Sequence, residues 1–99
     1  MIIVTREEFI QWIKEQPDDR LVDMGEFTSA YKCGCVMVQY GREKIPQYDN
    51  FYCGSSYWWN GGNDIAVFDG FSIWDIIRLN SSEDYSTDYG TLKKCLIKH

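Results

Sequence analysis

Cys33 and Cys35, one residue apart, join Cys53, Cys95 and His99 as the residues of this 99-residue chain best suited to hold a metal. Thiolate and imidazole ligands suit tetrahedral zinc. The spacing argues against such a site. Structural zinc sites pair ligands roughly two to four residues apart on both sides, whereas here there is one tight pair with a single residue between its members. A buried cysteine behaves as a small hydrophobe, so the leading reading places these thiols in the core. The alternative is a small zinc-stabilised module using Cys33, Cys35, Cys53 and Cys95. A dithiol redox site fits less well, because the pattern is not C-x-x-C and no βαβ pattern surrounds it.

Nucleophilic chemistry finds no full set of residues. "CGSSYW", 53–58, resembles a papain-type signature with Ser56 in the nucleophile position, but the only histidine, His99, is the last residue and nothing orients it. The carboxylate pairs Asp18-Asp19 and Glu83-Asp84 are adjacent in sequence and flanked by turn residues, as solvated loop charges are. "WNGGND" lacks the lysine and spacing of a phosphate loop. No catalytic residue, metal or cofactor is therefore assigned, and the chain is read as a protein that is not an enzyme.

The elements around these residues are easier to read. Thr5 with Glu8 forms a capping box, and Phe9, Trp12 and Ile13 make the buried stripe of a helix that Pro17 stops. Leu21 and Val22 form a short extended piece. Cys35-Val36-Met37-Val38 opens a segment whose apolar run fits a buried strand or a buried helix equally well; Cys35 and Tyr40 are expected to face the core. Residues 45–63 are rich in turn formers and aromatics and end in Asn60-Gly61-Gly62-Asn63, after which 64–68 is the best strand. Ser72 and Asp75 cap a short buried helix carrying Ile73, Ile76 and Ile77. Asp88 caps a final helix from about Tyr89 to Lys98, with Tyr89, Leu92, Cys95 and Leu96 inward. The expectation is a single α+β, α-rich domain over residues 1–99, with an N-terminal helix, a short central strand pair or hairpin, and a C-terminal helix.

Fifteen acidic against ten basic residues give a formal charge of -5, which repels nucleic-acid phosphates and favours a protein partner with a basic surface. The start of the chain lacks a signal-peptide pattern, and no apolar run approaches the roughly 20 residues that span a bilayer. A soluble cytosolic protein with reduced thiols and no membrane or direct nucleic-acid contact is expected. Between Asp49 and Asp88 there are seven acidic residues and one basic residue, Arg78, and nine aromatics lie between Tyr48 and Trp74. Two readings of this asymmetry stand. The aromatics fill the core while the acids keep the surface soluble, or exposed aromatics beside carboxylates form a recognition surface. The second reading selects Asp49, Tyr57, Trp58, Trp59, Asp64, Asp69 and Asp75.

"TREEFIQWIKEQPDDRLVD", "CGCVMVQYGREK", "WDIIRLN" and "DYGTLKKCL" occur in this order, and together they resemble small accessory proteins of tailed bacteriophages and prophages. Their pattern is a capped helix ending Q-P-D-D, a cysteine before an A-Q-Y-type helix, and a closing T-F-G-x-L helix. Thr5, Trp12, Pro17, Asp18, Asp19, Cys35, Gln39, Tyr40, Trp74, Tyr89, Gly90 and Leu92 correspond to it. Val36 stands where the pattern has proline, Gly41 where it has an aliphatic residue, and "FYCGSSYWWNGGN" has no counterpart. The resemblance implies an α-rich protein of the host cytosol that acts by stoichiometric binding. The implied targets are host machinery, including defence complexes such as restriction or CRISPR effectors, and DNA mimicry is one implied route.

Overall fold

The computed structural model describes residues 1–24, 35–45 and 51–97. Helix α1 runs Arg6–Glu15. The Glu8 N–H donates to Thr5 Oγ1 at 3.2 Å and the Thr5 N–H donates to Glu8 Oε1 at 2.7 Å, which completes the capping box. Gln16 turns extended ahead of Pro17 and ends the helix. Phe9, Trp12 and Ile13 are the buried face, as the 3.6-residue period requires.

Four strands, β1 (Ile2–Val4), β3 (Tyr52–Cys53), β4 (Tyr57–Asn60) and β5 (Asn63–Phe68), form a sheet in the order β1-β5-β4-β3. β1 and β5 are parallel; the other pairs are antiparallel. Gly61 and Gly62 have φ of 58° and 86°, so the N-G-G-N punctuation is a two-residue hairpin loop of the primed kind that suits the twist of its strands. β1 shows no alternation because three residues are too few to display one. "CGSSYW" spans the turn between β3 and β4, closed by the Gly54 N–H donating to Tyr57 O at 3.0 Å.

The segment left open between strand and helix is helix α2, Val36–Lys44. Its residues 36–41 are all buried, so it has no polar stripe to reveal a helical period. β2 (Leu21–Asp23) and β6 (Ser86–Asp88) make a second, antiparallel sheet. Two sequence expectations need correction. Ile73–Asp75 is a single 3-10 turn rather than a longer helix. Helix α3 covers Tyr89–Lys94 and stops well short of Lys98. Cys95 leaves it because the chain is drawn into extended pairing: the Arg78 N–H donates to Cys95 O at 2.9 Å, and the Ile97 N–H donates to Ile76 O at 2.7 Å.

The core lies between the inner face of the four-stranded sheet and the helices, and aromatic rings fill much of it. Phe9 meets Phe68 edge-on at 4.8 Å, Trp12 meets Tyr40 at 5.2 Å and Tyr89 at 5.8 Å, and Trp58 meets Phe68 at 5.2 Å. Such pairs add about 0.5–1.5 kcal/mol each beyond the area they bury. The buried Gln39 joins the layers: Tyr89 Oη donates to its Oε1 at 2.8 Å, and its Nε2 donates to Leu21 O at 3.0 Å. Every buried side-chain nitrogen and oxygen among the described residues has a partner, as a stable core requires.

Candidate protein-binding surface

Strand pairing sorts the aromatics into two faces. Ile3, Val67 and Tyr57 are register partners across three strands, and so are Asp64, Trp59 and Tyr52. Partners in register share a face, so these six residues line the side turned away from the core. The register shift between Trp58 and Trp59 makes this possible. Ile65 is the extra residue of a β-bulge; it and Ala66 are both buried opposite Trp58, and the alternation beyond them is reversed, bringing Asp64 out beside Trp59.

On that outer face Ile3 is 50% exposed, Tyr52 45% and Tyr57 39%. Trp59 is half-buried because its ring stacks on Tyr52, with centroids 4.9 Å apart and planes 23° apart. The Tyr57 ring lies over Gly54, where an added Cβ would approach its Cε1 to 2.5 Å.

Trp58 must be removed from the surface that its sequence position suggests. It is 0% exposed, and its Nε1 donates to Met37 O at 2.7 Å. Adjacent residues of a strand point to opposite faces, so one member of the Trp58-Trp59 pair belongs to the core and the other to the outer face. Asp64 and Asp69 are exposed, Asp69 just past the end of β5. Asp75 is exposed but occupied, since its Oδ2 accepts the Ser72 N–H at 2.8 Å. Asp49 lies outside the described residues. Tyr52 and Ile3 belong to the face and were missed by sequence reasoning; the β3 and β1 pairings that place them are tertiary.

Many carboxylates already have structural work. Glu8, Asp75, Asp84 and Asp88 accept backbone N–H groups at caps and turns, and Asp18 and Glu43 pair with Lys93 and Arg20 at 2.7 and 2.9 Å. The Thr91 N–H bond holds the Asp88 carboxyl below its ordinary value. Burial, followed by the charge of Glu8, pushes the Tyr40 phenol up to about 12.

Among the described residues Cys35, Cys53 and Cys95 are buried thiols outside any disulfide, and Cys33 lies outside the described residues. Burial first, and then nearby Asp84, raises the Cys95 thiol. Among the described residues no three His, Cys, Asp or Glu side chains come together to hold a metal, so the zinc alternative lacks a ligand set there. Among these residues too, no helix is long and apolar enough to cross a membrane.

A second surface feature carried no motif. A groove of about 660 Å³ lies between α1 and the segment from Lys93 to Ile97, lined by Arg6, Glu7, Ile10, Lys14, Lys93, Lys94, Leu96 and Ile97. The i, i+4, i+8 spacing of Arg6, Ile10 and Lys14 was its one local signal. Compared with family models, with curated proteins and with solved structures, the chain matches none.

Proposed function

We propose that this chain is a phage- or prophage-encoded protein that binds a host protein complex and inhibits it without chemistry of its own. The outer face of the four-stranded sheet is the contact surface, with Tyr52, Tyr57 and Trp59 as anchors and Asp64 and Asp69 as acidic neighbours. The observation that carries this reading is the Tyr52 and Trp59 stack on a solvent-facing sheet. Stacked rings offer large contact area with little rotamer freedom left to lose, which is how aromatic hot spots work. A net charge of -5 favours a basic partner and speeds encounter with it.

Phage or prophage origin and the defence-complex class of target rest on the resemblance described above. The capping and pairing of so many carboxylates favours an aromatic anchor with an acidic rim over a row of phosphate-like charges. Affinity capture from bacterial lysate at moderate salt tests this. The wild-type chain retains a specific complex, and the variant Tyr52→Ala plus Trp59→Ala loses it; retention of nothing by the wild type contradicts the proposal.

A further inference from the structure

We propose that the groove between α1 and the segment Lys93 to Ile97 is a second docking site, for a short acidic peptide segment of a partner protein. It shares no residue with the outer sheet face. In a chain that carries ten basic residues and a charge of -5, four of the ten line this one groove; Glu7 is the carboxylate in its lining, and Asp18 beside it neutralises Lys93, which leaves Arg6, Lys14 and Lys94 as its cationic excess. Its floor is apolar, made by Ile10, Leu96 and Ile97, all only partly buried. A hydrophobic floor with cationic walls selects a ligand that is both apolar and anionic.

The walls are fixed unequally. Lys93 Nζ donates to Gln16 O at 2.6 Å and to Asp18 Oδ1 at 2.7 Å, so its aliphatic stem is held as wall. The Arg6 guanidinium lies 5.3 Å from the Phe71 ring centroid and is held by that contact. Lys14 and Lys94 are exposed and supply charge at the rim, Lys94 within electrostatic reach of Asp88. Arg6 and Lys14 are eight residues apart on α1, about 12 Å along its axis. Two carboxylates four residues apart on an extended peptide are about 13 Å apart, so the groove matches Glu-x-x-x-Glu with apolar residues between. A neighbouring hollow of about 280 Å³, lined in part by Arg78, Lys94 and Leu96, continues the basic surface.

Isothermal titration with the acetylated, amidated peptide Glu-Leu-Ala-Leu-Glu tests the site on the full chain. The expected result is saturable binding that weakens with salt, is lost when both Glu are replaced by Gln, and falls about tenfold in Lys14→Ala plus Lys94→Ala. These lysines are exposed, so the variant keeps its fold, checked by circular dichroism. Tyr52→Ala plus Trp59→Ala binds the peptide as wild type does, which separates this site from the sheet face. Absence of saturable binding up to about 1 mM peptide, equal binding of the Gln peptide, or binding unchanged in the lysine variant overturns the proposal. Dodecanoate titrating the groove where the peptide does not would overturn it too, by assigning the groove to a small amphipathic acid.

Discussion

The indole of Trp58 donates its Nε1–H to the carbonyl oxygen of Met37 at 2.7 Å, tying the middle of β4 to the first turn of α2 across 21 residues of chain. The ring is fully buried and in contact with Tyr40 and Phe68. Trp58→Ala removes a large core side chain and is expected to cost about 3–5 kcal/mol. Trp59→Ala on the outer face is expected to cost less than about 1 kcal/mol. Urea unfolding of both variants checks this; equal losses would contradict the opposite facing of the two tryptophans.

Gly41 leaves room for two rings. A Cβ there would approach Phe51 Cζ to 2.6 Å and Trp58 Cδ1 to 3.0 Å. Gly41→Ala gains about 1 kcal/mol of helix propensity, but the overpacking cost of about 1–3 kcal/mol outweighs it. A net loss of stability is expected, and Phe51→Leu in the same chain is expected to recover part of it. Thermal unfolding of the single and double variants reads the coupling; a stabilised Gly41→Ala would show that the rings move aside.

Stability should depend on pH at both ends. The Asp88 carboxylate accepts the Thr91 N–H at 2.9 Å, and its folded pKa is depressed. It therefore contributes stability that is present above the unfolded value and is lost as pH falls through the folded one. Asp88→Asn keeps a capping oxygen and should flatten the acid limb of a stability profile.

Tyr40 behaves in the opposite sense. Its folded pKa is raised to about 12, so its contribution is complete below the unfolded value near 10 and is lost as pH rises toward 12. Alkaline titration followed by tyrosinate absorbance should show Tyr40 ionising late, together with Tyr89, whose phenol burial also raises. Early ionisation of all the tyrosines would contradict their burial.

What could be read in the sequence was local. The Thr5 and Glu8 box, the Phe9, Trp12 and Ile13 stripe, the Pro17 stop and the Asp88 cap each depend on contacts within four residues, and each is present. The α+β class with helices at both ends around a hairpin is likewise present. The parallel pairing of β1 with β5 joins residues more than 60 apart and leaves no local trace. The same holds for the shortening of α3, which is set by pairing with residues 76–78.

The candidate surface was half legible. Aromatic and acidic composition pointed to the stretch that forms β3 to β5, but which of Trp58 and Trp59 faces out depends on strand parity and on the bulge at Ile65, neither of which composition contains. The basic groove was hidden for a related reason. Its cations come from α1 and from residues 93–94, and only the contact of α1 with α3 brings them together in a chain whose overall charge has the opposite sign.

The proposed contact between the outer sheet face and a partner protein runs through the Tyr52 and Trp59 stack. Its most direct measurement is capture of a host complex by wild-type chain and by Tyr52→Ala plus Trp59→Ala, with both proteins shown to unfold at similar urea concentrations. The variant is expected to stay folded and to lose capture by at least about tenfold, in line with loss of a hot spot. A folded variant that captures the same complex as well as wild type would contradict it.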